Sequence, residues 1–188
     1  MKFSTSSTMF WLKRISGILA SLLIVTVVVG SVLPSQVHVE RKLTINARPQ
    51  QIYPLIANFK QWNKWSPWAK IDPNAEFKIV GRGLKQKMFW SSEDPRVGKG
   101  SQEFITANKP THIKTHLDFG KQEIADASFD LIAENNATEV TWSLDTDMRA
   151  GVPIYMKPFG AYLGFFMDSI VGKDYEQGLD NLQKLVQN

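Results

Sequence analysis

The 188-residue chain contains no cysteine. That absence excludes a disulfide scaffold, a thiolate nucleophile, an iron–sulfur cluster and any cysteine-based zinc site. Histidine is scarce as well. Only His38, His112 and His116 occur, so a histidine-rich metal site lacks ligands, and no metal or other cofactor is expected. Nine prolines and twelve glycines are too few for a collagen-like or low-complexity chain. No phosphate-cradling Walker loop, GxGxxG turn, HExxH helix or GxSxG elbow is present. Acidic residues are missing from one region, since none precedes Glu40.

That last gap explains the charge. The net charge of +4 looks basic, but Lys2, Lys13 and Arg14 precede every acid, and from Pro34 onward 19 bases face 18 acids. The remainder is nearly neutral and offers no basic face, so nucleic-acid binding is not expected. A 43% hydrophobic and 21% charged composition is that of an ordinary globular protein.

Residues 15–33 read ISGILASLLIVTVVVGSVL, with no charge. At 1.5 Å per helical residue the stretch covers roughly 28 Å, close to the hydrocarbon thickness of a bilayer. Phe10, Trp11 and Leu12 add an interfacial aromatic anchor. Lys13 and Arg14 immediately before the span place residues 1–14 in the cytoplasm and residues 34–188 on the extracytoplasmic side of an inner membrane. A cleaved signal peptide is the competing reading. Its apolar region is usually about 7–15 residues and ends in an A-x-A-like site, and this run is longer, with Gly30 and Ser31 following valines. An uncleaved single-pass anchor is therefore expected.

Beyond the span, Val37, Val39, Leu43 and Ile45 alternate with polar residues, the period of a half-buried strand, with Arg41 interrupting the apolar face. Asn46-Ala47-Arg48-Pro49 turns into a helix whose apolar face is Ile52, Leu55, Ile56 and Phe59. Pro54 inside it predicts a kink or a late start. An aromatic segment follows, Trp62-Asn63-Lys64-Trp65-Ser66-Pro67-Trp68. Strands are then expected over 76–80, 86–90, 100–108, 111–119, 123–133 and 139–146, joined by glycine-, proline- and asparagine-containing turns. Such short joints require antiparallel neighbours. In the last forty residues Leu163, Phe166, Met167, Ile170, Val171, Tyr175, Leu179, Leu182 and Val186 recur at steps of three and four, which predicts a long helix of about 25 residues. Seven antiparallel strands and one long amphipathic helix imply an α+β domain, a curved sheet wrapped around a helix with a cavity between them.

This order, with VERKLTINARPQQIYPLIANFKQWNKWSPW, GSQEFIT, THLDFG, VTWSLDTD and MDSIVGKDYEQGLDNL, resembles the SRPBCC superfamily and its helix-grip fold. Within it, the chain is similar to the polyketide cyclase/dehydratase-like branch, START-like proteins whose bacterial members often carry an N-terminal anchor. The likeness spans about 36–187, and the tryptophan-rich 62–68 segment is its most specific part. It implies a deep, mostly apolar pocket for lipids, polyketides or sterols. It transfers no catalytic motif, because the superfamily has no universal one.

Candidate site residues follow from the pattern. Trp62, Trp65 and Trp68 either gate the pocket mouth or plug the short helix onto the sheet. Trp90, Phe104, Phe119, Phe129 and Trp142 on the strands line the cavity if their faces point at the helix. Tyr162, Phe166 and Ile170 approach it from the helix. His112, His116 and Asp118 share one strand face. They make an acid/base pair, two thirds of a metal site or, because the opposite face is more apolar, a solvated stripe. Asp145 and Asp147 sit at the end of the last strand, as a ligand contact or a solvated hairpin end. Three functions are compatible with these residues: a membrane-anchored binder of a hydrophobic small molecule or lipid, a cyclase/dehydratase-like enzyme using acid/base chemistry, and an envelope protein-interaction module.

Overall fold

The computed structural model describes residues 5–120 and 124–187. Outside it lie the start of the expected cytoplasmic stretch, Lys2 included, Glu123 at the expected start of one strand, and Asn188. The chain begins with one continuous helix, α1 (Thr5–Val32). Its apolar side chains stand exposed almost everywhere from Met9 onward. The segment Met9–Val32 is long and apolar enough to cross a membrane.

Three residues, 33–35, connect α1 to β1 (Gln36–Ile45). Then come α2 (Pro49–Ile56), α3 (Phe59–Trp62) and a 3-10 turn at Trp68–Lys70. The strands β2 (Glu76–Val80), β3 (Lys87–Ser91), β4 (Lys99–Asn108), β5 (His112–Asp118), β6 (Ile124–Glu134) and β7 (Ala137–Asp147) follow, and α4 (Lys157–Gln187) ends the chain. All seven strands form one curved antiparallel sheet in the order β1-β7-β6-β5-β4-β3-β2. The α+β helix-grip architecture read from the sequence is the one observed. The helix α4 reaches 31 residues rather than about 25. A register shift between Phe104 and Thr106 leaves Ile105 as an irregularity in β4, a device that bends strands. At the β6–β7 hairpin the two-residue loop needs a left-handed residue, and Asn135 supplies it at φ 54°.

Pro54 does not delay its helix. The helix α2 starts at Pro49, where a missing N–H costs nothing, and ends two residues after Pro54. Only the last turn remains to be disturbed. The carbonyls left unpaired at the helix's C-terminal end have indole partners. Trp62 Nε1 donates to the Ile56 carbonyl at 2.7 Å and Trp65 Nε1 to the Leu55 carbonyl at 3.1 Å. The tryptophan segment therefore caps α2 while burying its rings.

Arg41, the break in the apolar alternation of β1, lies against α4. Its guanidinium pairs with Asp168 at 2.8 Å and Glu176 at 2.6 Å. It occupies the space over Gly172, where a Cβ would collide with the guanidinium. Gly178 has the same role under Trp142, whose ring lies 2.6 Å from where a Cβ would be. Both glycines are therefore close-packing positions.

Candidate functional site

The inward sheet face divides into two parts. Toward β6, β7 and the C-terminal half of α4, the aromatic segment fills the interior. Trp62 and Trp65 sit 5.0 Å apart, Phe59 stacks on Phe104 at 4.1 Å, Trp142 on Phe129 at 4.8 Å, and Tyr175 on Trp142 at 3.8 Å. Beneath the N-terminal half of α4, over β2–β5, the start of β6 and the end of β7, the packing stops short, leaving a cavity of about 500 Å³. That is within the range of small-molecule sites. Its walls are largely apolar: Phe77, Met88, Trp90, Leu117 and Phe119 from the sheet, and Phe159, Leu163, Met167 and Val171 from α4. Residues that both line it and stand exposed define the mouth: the apolar Phe119, Ile124, Met156, Leu163 and Ile170, with the charged Arg96 and Asp147 among them.

The expected pocket residues separate accordingly. Trp62, Trp90, Phe119 and Ile170 line the cavity. Trp90 and Phe119 meet edge to face at 5.7 Å, and the Trp90 indole is held by the Val97 carbonyl at 3.1 Å. Trp65, Phe104, Phe129 and Trp142 point inward but are buried in the core beside the cavity, outside its lining. The aromatic segment occupies the space in front of them. Tyr162 turns away toward α1, donating its hydroxyl to the Thr26 carbonyl at 2.7 Å. Phe166 is 60% exposed and does not line the cavity. Trp68 lines it, with Nε1 donating to Asp174 at 3.1 Å.

Polar groups in the wall are few. Gln102 donates to Thr115 at 2.8 Å and is thereby committed to the sheet. Asp147 accepts the backbone N–H of Arg149 at 2.9 Å, which holds its carboxyl below the usual range. Asp174 behaves oppositely. Burial raises its pKa even though the Trp68 indole bond favours the charged form. Burial also pushes the Tyr175 hydroxyl upward, so it acts only as a neutral donor. Asp174 is thus the lining carboxyl whose protonated form the site favours, and sequence reasoning passed over it. The signal was present: Asp174 falls seven residues after Met167 and three after Val171, on the same helical face.

The histidines are elsewhere. Each pairs with an aspartate on a neighbouring strand: His38 with Asp145 at 2.7 Å, His112 with Asp130 at 2.7 Å, His116 with Asp126 at 2.8 Å. They belong to the outward sheet face, and Asp118 instead accepts the Gly120 N–H. Among the described residues no cluster of three metal-ligating side chains occurs.

A curved antiparallel sheet gripping a long helix, with an apolar cavity between them, defines a helix-grip domain. The chain belongs to the polyketide cyclase/dehydrase and lipid transport family, which matches residues 36–187. Solved structures share the fold at low identity. The ZhuI aromatase/cyclase from a Streptomyces species is 11% identical, with a TM-score of 0.59 over 81% of this chain and 94% of that one. The di-domain aromatase/cyclase StfQ of the steffimycin biosynthetic pathway is 8% identical, with a TM-score of 0.62 over 81% of this chain and 51% of that one. A protein from Thermus thermophilus is 19% identical, with a TM-score of 0.55 over 80% and 97%. No curated protein matches the chain.

Proposed function

We propose that the chain is a membrane-anchored binding protein for a hydrophobic small molecule or lipid, held in the cavity between the sheet and α4. The observation that carries this reading is the cavity itself: ligand-sized, walled by aromatic and aliphatic side chains, and opening through a mostly apolar rim that includes Arg96 and Asp147. Family membership supports the ligand class. Helix α1, with Lys13-Arg14 just before its uncharged stretch, supports a single-pass anchor with residues 34–188 on the extracytoplasmic side. The direct experiment is native mass spectrometry of the detergent-extracted full chain, beside an Ala125→Phe variant that fills the cavity from its wall. An apolar adduct on the wild type that weakens in the variant is expected. Absence of any adduct, with no binding of an apolar fluorophore, overturns the reading. For topology, alkaline phosphatase fused at the C-terminus should be active, and an inactive fusion contradicts the orientation.

A second reading, a cyclase-like enzyme, is favoured by one observation: Asp174 is a carboxyl with raised proton affinity in the cavity wall. On that reading Asp174→Asn abolishes turnover of an added polyketide-like substrate while leaving affinity for the apolar fluorophore unchanged.

A further inference from the structure

The apolar rim of the cavity and the end of α1 are one continuous surface. A short connection and contacts made by Arg149, Gly30 and Tyr162 hold them together. The connection between Val32 and Gln36 is only three residues, so these two residues lie at most about 14 Å apart. Arg149 donates to the Gly30 and Leu33 carbonyls at 2.6 and 2.8 Å, placing a cation on the carbonyls that end α1. Gly30 packs without a side chain against Pro158, and Tyr162 bonds to Thr26. The domain is therefore clamped to α1 rather than loosely tethered.

Beside this clamp, the segment 148–170 exposes large apolar side chains that nothing in the fold covers. Ile154 is 83% exposed and Tyr155 73%, with Met156, Leu163, Phe165, Phe166 and Ile170 also exposed. From Met148 to Met167 there is no Asp or Glu, while Arg149 and Lys157 are present. Met156, Leu163 and Ile170 also belong to the cavity mouth. Thr26, level with Tyr162, lies six residues inside the end of α1, roughly 9 Å along the helix. That equals the depth, about 5–10 Å, at which interfacial helices seat their apolar faces.

We propose that Ile154, Tyr155, Leu163, Phe165 and Phe166 seat in the lipid surface of the membrane that α1 crosses, so that the cavity mouth opens onto the bilayer. This rests on the reading of α1 as a membrane span. Continuity with α1 and an apolar face that carries Arg149 and Lys157, with Asp147 and the Arg41-paired Asp168 only at its edges, match a phospholipid surface.

The cysteine-free chain permits a direct test. Single variants Leu22→Cys, Ile154→Cys, Phe166→Cys and Lys78→Cys of the full chain are labelled with an environment-sensitive fluorophore. They are then reconstituted in phosphatidylethanolamine/phosphatidylglycerol nanodiscs with and without nitroxide-bearing lipid. Labels at 22, 154 and 166 should be blue-shifted and lose most of their emission to the nitroxide, while the label at 78, on the exposed edge strand, should lose almost none. If 22 is quenched but 154 and 166 behave like 78, docking is overturned and the anchor survives. If 22 is not quenched, both fall. A label at 166 that is shielded from water but unquenched by lipid reports a protein–protein contact and also overturns the proposal.

Discussion

The two halves of α4 carry similar patterns of large apolar residues, yet they live in different environments. In the C-terminal half, Tyr175, Leu179 and Leu182 are buried against the aromatic core, and Gly172 and Gly178 let Arg41 and Trp142 approach the helix axis. In the N-terminal half, Leu163, Phe165, Phe166 and Ile170 stand largely exposed, and the inward residues face an open cavity. Helical periodicity reports that an apolar face exists. It does not report what covers the face, because that depends on strands far away in sequence. The C-terminal half holds the fold, and the N-terminal half leaves room beneath it.

The largest test of that contrast is stability. Trp65 is buried under α2 and α3, so Trp65→Ala should cost about 3–5 kcal/mol. Phe166→Ala should change stability by no more than about 0.5 kcal/mol, as for other exposed positions. Urea midpoints of the two variants check this, and a Phe166→Ala cost near that of Trp65→Ala breaks the comparison.

Gly178→Ala should be next. The helix gains about 1 kcal/mol of propensity. The new Cβ meets the rigid Trp142 ring, and overpacking costs about 1–3 kcal/mol. A net loss in thermal denaturation is expected. A net gain would mean that the C-terminal half is looser than its contacts indicate.

Asp174 lies where the halves join. Its folded pKa is raised by burial, so its favourable contribution is complete below the unfolded value of about 3.9 and is lost as pH rises through the folded value. At neutral pH the buried charge is therefore a cost. Asp174→Asn should raise the urea midpoint at pH 7, and the difference should close as pH falls toward about 3. A difference independent of pH contradicts the burial.

The smallest effect belongs to the outward sheet face. Asp145 raises the pKa of His38, so this pair stabilises most below about 6.5 and fades as pH rises through the raised value. Both side chains are more than half exposed. The difference between wild type and His38→Gln should be about 0.5 kcal/mol or less at about pH 5.5. It should vanish at about pH 8.5 in matched denaturation curves.

The strands were legible because alternation on a half-buried sheet is a local pattern. Ala125, Ala127, Phe129 and Leu131 announce β6, and Val140, Trp142 and Leu144 announce β7, within a residue or two of their observed limits. The apolar N-terminal helix was legible for the same reason, as an uninterrupted uncharged run. The cavity wall was only partly legible. Trp90 and Phe129 both read as possible lining, because they have the same pattern in sequence. Only the packing of α2 and α3 against β6 and β7 decides that Phe129 is enclosed by other rings and Trp90 faces open space. Arg41 looked like a flaw in β1 until Asp168 and Glu176, more than a hundred residues away, appeared beside it.

What the sequence determined by itself is what depends on neighbours along the chain: strand and helix periods, turn chemistry, the uncharged span and the ligand types that missing cysteine and scarce histidine remove. What the tertiary structure decided is which apolar faces meet. It closed one half of α4 onto the aromatic core, left the other half over a cavity, and clamped that open half to the end of α1. Burial is a property of space rather than of sequence spacing, and the residues that leave the cavity unfilled are brought together only when the sheet curves around the helix.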